Sequence, residues 1–154
     1  MQTFIVSRRP DDIASILDTK RLGKQRVEAI QIVRKLLDLP NMSGKESKAW
    51  NNHPAVRMWK GYEPYLVKVY LFNMIDEWAN RGKNGRLCRK HFLHLIRKVR
   101  HKKIVEPHWF KEDVFNSHKS NLLRKDSEYY GKFFSDVSND LEYIWPSQNQ
   151  KEES

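Results

Sequence analysis

Apolar residues recur along most of this chain at steps of three and four, the spacing of a helix with one buried face. After Pro10, the pair Asp11-Asp12 marks a helix start leading into Ile13, Ile16 and Leu17. Gly23 predicts an interruption, with a second helix along Ile30, Val33 and Leu37 that ends near Leu39, before Pro40. Asn41 to Ser47 reads as a loop. Asn52-His53-Pro54 reads as a helix entry, because a proline in the first turn lacks only an N–H that the helix does not use. Pro64 kinks or restarts that helix. The stripe Leu66, Tyr70, Ile75 and Trp78, with Leu71 and Met74 beside it, predicts a central core helix from Tyr65 to about Asn80. Gly82 and Gly85 separate it from a basic helix, Pro107 breaks the chain again, and a further helix spans Lys111 to Lys125. Leu141, Tyr143, Ile144 and Trp145 are expected to dock on the body. Period-two alternation of any length is missing. The fold class is therefore all-α: a compact single-domain bundle of about five or six helices over residues 1–146, with a frayed tail over 147–154.

Composition narrows the setting. The 154 residues include five Trp, six Tyr and seven Phe, so a core can form without staples. Cys88 is the only cysteine, which excludes an internal disulfide and fits a reducing compartment. MQTFIVSRRPDD is no secretory signal, and no stretch approaches the roughly 18 apolar residues of a membrane span. A soluble, cytoplasmic, DNA-associated monomer is expected.

Charge changes the picture most. Arg81 to Lys103 holds ten Lys or Arg and no Asp or Glu, which equals the net charge of +10 for the whole chain. The remainder balances. Interleaved Leu87, Phe92, Leu93, Leu95, Ile96 and Val99 make this a folded basic helix, and its natural partner is a polyanion such as nucleic acid. Auxiliary phosphate contacts are expected from 81–103.

Three other stretches carry candidate chemistry. Asp18 to Glu28 places Lys20, Arg21, Lys24 and Arg26 at an expected helix–glycine–helix junction. Gly23 would let the backbone approach a phosphate, and free N–H groups at a helix start favour an anion. Arg26 extends the apolar line of the second helix, so its guanidinium must snorkel, pair or face a cleft. The plainer reading is a charged turn with Lys24 and Glu28 as an i,i+4 pair. Asn51 to Tyr62 gathers Asn52, His53 and Arg57 with Trp59, and amides with aromatics are what a pocket needs to read a base edge and stack on its face. The alternative is capping by Asn52, core packing by Trp59, and His53 as cap or site. In Ser117 to Asp126, Ser117, Asn121 and Arg124 share one helical face, as do His118 and Lys125; this is a ligand-facing helix or an ordinary solvated one. Cys88, His91 and His94 have metal-like spacing, but surrounding cations oppose a divalent ion, so no metal or cofactor is expected.

Together, LDTKRLGKQRVE, NHPAVRMWKGY and SHKSNLLRKD resemble the pyrimidine-dimer DNA glycosylase family, in particular a bacterial and viral branch that shares these motifs. The resemblance covers nearly the whole chain apart from the basic 81–103 region. It implies a compact all-α fold acting on damaged or modified double-stranded DNA, with excision of a pyrimidine and an associated abasic-site lyase step. In such a mechanism an N-terminal α-amine, here that of Met1, attacks the sugar. Ordinary α-amines titrate near about 8 and keep a useful neutral fraction at pH 7, unlike lysine near about 10.4. Arg26 falls on a phosphate-binding arginine, Arg124 on a lysine with the same task, and Tyr129 to Lys132, including Tyr130, on an aromatic tail. The family's catalytic glutamate falls on Gly23 here, which leaves Glu28 or Asp18 to supply the carboxylate. Met1, Glu28 and His53 are thus the candidate catalytic groups. Arg21, Lys24, Arg26, Asn52, Arg57, His118, Asn121, Arg124, Lys125 and Tyr130 are the candidate DNA contacts. Open alternatives are water as nucleophile, a binding module that kept the fold without the chemistry, and an enzyme for hypermodified viral bases.

Overall fold

The structure is a computed structural model that describes residues 1–146; the tail expected at 147–154 lies outside the described residues. Among the described residues every regular element is helical. In order they are α1 (Pro10–Ile16), α2 (Thr19–Leu36), α3 (Pro54–Arg57), α4 (Glu63–Tyr65), α5 (Phe72–Asn80), α6 (Arg86–Val99), α7 (Glu112–Lys125) and α8 (Ser127–Tyr130), with a π-helical segment Leu66–Leu71 joining α4 to α5. The all-α expectation holds, and Pro64 does restart the chain, in the first turn of α4.

Gly23 behaves otherwise than expected. It sits inside α2, which starts at Thr19 with Asp18 as its cap, the Asp18 carboxylate accepting from the Arg21 N–H. A Cβ at Gly23 would lie 3.1 Å from the Trp78 ring, so the glycine makes room for a side chain distant in sequence. It does not admit a phosphate. The real break falls at Leu17–Asp18, where Arg81 donates to the carbonyls of Ala14 and Leu17 at 3.1 and 2.7 Å. That guanidinium satisfies the orphan carbonyls at the end of α1 and ion-pairs with Glu77 at 2.9 Å. Arg81 is therefore a structural clamp, and it leaves the expected phosphate grip.

The organising feature is an extended segment, Thr3 to Val6, buried at the centre of the helices. It has no neighbouring strand, so its backbone groups must find partners among side chains. The Phe4 N–H donates to Gln25 Oε1 at 3.2 Å, and the Ile5 N–H donates to His118 Nδ1 at 2.9 Å. The Thr3 carbonyl accepts from the Tyr143 hydroxyl at 2.6 Å, while Thr3 Oγ1 accepts from Trp59 Nε1 at 3.1 Å. Separate parts of the chain thereby hold one segment in one register. The docked C-terminal stretch adds Ile144 N–H to Ser117 Oγ at 3.1 Å and Leu141 N–H to Ser120 Oγ at 3.0 Å.

Candidate active site

Holding the extended segment in place delivers Met1 and Gln2 to one face of α2. That face carries Lys20, Lys24 and Glu28 at successive turns, then Gln31 and Lys35. Glu28 is half-buried. Its carboxylate accepts from Gln25 Nε2 at 2.9 Å and from the Gln2 N–H. Burial pushes its pKa above the ordinary glutamate value, and the positive Met1 α-amine, Lys24 and the two hydrogen bonds pull in the opposite direction without cancelling the rise. Burial, and to a smaller extent the same α-amine, disfavours protonation of His53. Amine, carboxylate and imidazole thus share one electrostatic neighbourhood.

A cleft of about 260 Å³ opens over Glu28, walled by Lys20, Arg21, Lys24 and Lys125, with Gln2, Phe4 and Gln25 at its base. Beyond its Asp18 cap, which ion-pairs with Arg21 at 3.2 Å, the start of α2 contains no acid to offset Lys20 and Lys24. Cations gathered at the positive end of a helix repel one another and the helix dipole. Such an arrangement suits a bound polyanion.

His53 caps α3, its Nδ1 accepting from the Ala55 N–H at 3.0 Å. The proton of the neutral ring then resides on Nε2, which can donate to a ligand. The ring stands edge-on between Trp50, at 5.2 Å, and Trp145, at 5.7 Å. His53 is therefore a helix cap, with Asn52 exposed beside it and Arg57 exposed at the end of α3.

Known proteins supply one point of comparison. A family model described as pyrimidine dimer DNA glycosylase matches residues 1–91. The chain belongs to this family. No curated protein and no solved structure matches it. The matched span contains Met1, the whole cleft-facing side of α2, and His53, whereas α7 and most of the basic helix lie beyond it.

Several residues expected to touch DNA serve the fold of this glycosylase family member instead. His118 is fully buried and stacked on Tyr143 at 4.1 Å. Because Nδ1 accepts from the Ile5 N–H, Nε2 carries the proton and donates to the Ile144 carbonyl at 3.3 Å. Burial depresses its pKa to about 3. Tyr130 is also fully buried, and its hydroxyl donates to the Asp18 carboxylate and accepts from the Asp18 N–H at 3.1 Å. Asp18 is thereby engaged by Tyr130, by Arg21 at 3.2 Å and by its capping bond.

Arg26 resolves the choice set by its place on an apolar line. Only 8% of it is exposed, and its guanidinium lies 3.9 Å from the Trp78 ring centroid, on the α6 side of α2 and away from the cleft. The aromatic face offsets part of the cost of burying that charge. Arg124 Nη1 is committed to Ser120 Oγ and to the carbonyls of Asn139 and Leu141, at 2.8 to 2.9 Å, so it fastens the C-terminal stretch. Of the α7 candidates, Lys125 does line the cleft. One turn before it, the Asn121 Oδ1 is buried without a hydrogen-bond partner among the described residues.

Gln25 is a site residue that the motif reading misses, though the sequence holds a signal for it. It occupies the buried line Leu22, Gln25, Ala29 and Ile32, and a lone amide on such a line must be hydrogen-bonded.

Proposed function

We propose that this chain excises a damaged or modified pyrimidine from double-stranded DNA, with the Met1 α-amine as nucleophile, and that it then nicks the strand. One observation carries the reading: a glutamate of raised pKa, near enough to the Met1 α-amine to feel its charge, lines a cleft walled by four cations. The neutral amine forms a bond to C1′ as the C1′–N bond breaks and its electron pair leaves with the base, which takes up a proton. Glu28 accepts the proton that the amine sheds, and its charge stabilises the cation developing on the sugar. Opening of the sugar ring turns the adduct into an imine. Loss of a C2′ proton then expels the 3′-phosphate. His53 Nε2–H donates a hydrogen bond within the site, and Lys20, Arg21, Lys24 and Lys125 hold the flanking phosphates.

Basic helix α6 supplies the auxiliary grip. It packs along α2 through Cys88, Leu95 and Val99, and turns Arg86, Arg89, Lys90, His94 and Arg97 outward along one open groove. None of the four Arg and Lys side chains among them is in an ion pair among the described residues.

Borohydride trapping on duplexes containing a pyrimidine dimer or an abasic site tests the proposal. A covalent adduct that disappears when the N-terminus is blocked is the expected result. Strand cleavage with no adduct makes water the nucleophile. Binding without either reaction makes the chain a DNA-binding module.

A further inference from the structure

Helices α5 and α6 are joined by a short turn over 81–85, and between them lies a groove of about 470 Å³ that the proposed reaction does not use. Phe72, Ile75 and Ala79 recur at helical spacing along its α5 wall, and Phe92 and Leu93 line the α6 wall. The rings of Phe72 and Phe92 stand 6.2 Å apart, yet Phe72 is 49% exposed and Leu93 51%. Large apolar side chains left half-exposed in one concave surface mark a place where another molecule is buried.

Toward the turn the lining becomes cationic. Lys83, Arg86 and Arg89 belong to it, and none of the three is in an ion pair among the described residues. The turn itself is fixed. Trp78 Nε1 donates to the Asn84 carbonyl at 3.0 Å, and the Lys83 N–H donates to the Trp78 carbonyl at 3.2 Å. Asp76, on α5, is the single acid in the lining.

These features select among occupants. A nucleobase would bury its hydrogen-bonding edge against Phe72, Ile75 and Leu93, which offer it no partner. A second copy related by a two-fold axis would set Lys83, Arg86 and Arg89 against their own duplicates. A helix with one apolar face bordered by Asp and Glu meets both halves of the groove.

We infer that α5 and α6 form a docking groove for an acidic amphipathic helix of a partner protein. Its apolar face covers Phe72 and Leu93, and its carboxylates pair with Lys83, Arg86 and Arg89. Arg86, Arg89 and Leu93 also line the open groove proposed for DNA, so partner and DNA compete for the same side chains. That competition rests on the DNA reading of α6, whereas the docking itself does not.

The test uses the full chain and a fluorescein-labelled synthetic peptide of about 18 residues, with Leu or Phe repeating at steps of three and four and Glu between them. At about 0.15 M salt, it is expected to bind at least tenfold more tightly than a scrambled peptide of the same composition. Phe72→Ala combined with Leu93→Ala should lower that affinity by about tenfold or more and leave Tm unchanged. Lys83→Gln with Arg86→Gln should weaken binding, whereas Lys45→Gln with Lys48→Gln, equal in charge but in another loop, should keep it within about twofold of wild type. Failure of the ordered peptide to bind, equal binding of the scrambled one, or indifference to the Phe72 and Leu93 changes overturns the groove. So does an equal loss of intact-duplex affinity in the Phe72 and Leu93 variant, which assigns the groove to nucleic acid. Sedimentation of wild type as a dimer that this variant abolishes assigns it to a second copy, and overturns the inference as well. Displacement of the peptide by intact duplex supports the competition. A chain that binds the peptide but no duplex loses the DNA reading of α6 and keeps the docking groove.

Discussion

Gln25 Nε2 donates to both the Glu28 carboxylate, at 2.9 Å, and the Gln2 carbonyl, at 3.0 Å. One amide therefore sets the position of the proposed carboxylate relative to the N-terminal segment. The other end of the same amide accepts from Phe4 and Tyr70, which ties the pair into the core.

Glu28→Gln is expected to lower excision by roughly 10²- to 10⁴-fold. Burial raises the wild-type carboxyl pKa, so the ionised form costs native stability as pH rises through that value. The variant's Tm should therefore equal or exceed that of wild type near neutral pH. In wild type, activity should fall on the acid side at a pH above the ordinary glutamate range, and single-turnover rates against pH measure this.

Tyr70→Phe removes a 2.5 Å hydrogen bond to Gln25 Oε1 and should cost about 1 kcal/mol in urea unfolding. Gln25→Leu strands the Phe4 N–H and the Gln2 carbonyl, at about 1–3 kcal/mol for each group. Trapping on abasic DNA should fall in Gln25→Leu even at temperatures where it remains folded, because the amine and Glu28 lose their common tether.

His118 should make the protein acid-labile. Its folded pKa of about 3 lies below the ordinary 6.5, so the neutral ring is required for folding. The stability it supplies is complete above about 6.5 and is lost as pH falls toward 3, at up to about 1.4 kcal/mol per pH unit. His118→Gln keeps an acceptor and a donor without titrating. Chemical unfolding from pH 7 to pH 4 should show a shallower decline in that variant.

Replacing Arg86, Arg89, Lys90 and Arg97 with Gln should weaken DNA binding and flatten its salt dependence, by roughly 0.9 units of slope for each phosphate that is no longer neutralised. Preference for damaged over intact duplex should persist. A variant that binds damaged and intact duplex equally weakly would move base recognition onto α6.

Much of the helical order is legible because apolar spacing reports a buried face, as in Leu66, Tyr70, Met74 and Trp78. What periodicity cannot report is contact across long sequence distance. A glycine among charged residues reads as a break, and only Trp78 explains why Gly23 lies inside a helix. His118 and Tyr130 read as ligand-facing because polar rings often are, yet one satisfies a buried backbone N–H and the other braces a helix cap. The role of His118 follows from an extended segment with no strand beside it, and MQTFIV gives no hint of its burial. The candidate cleft is half-visible: Arg21, Lys24, Glu28 and Lys125 line it, while Met1 is tied to Glu28 and His53 only by its charge.

The hydrogen bond from Tyr143 to Thr3 spans 140 residues. During synthesis the first residues emerge long before the tyrosine that anchors them, so the proposed nucleophile has no fixed place on a nascent chain. On the proposed mechanism, reactivity toward DNA requires that residue 143 has left the ribosome and docked. On the same mechanism, partial translation products that carry the cation-rich stretch bind nucleic acid without cutting it.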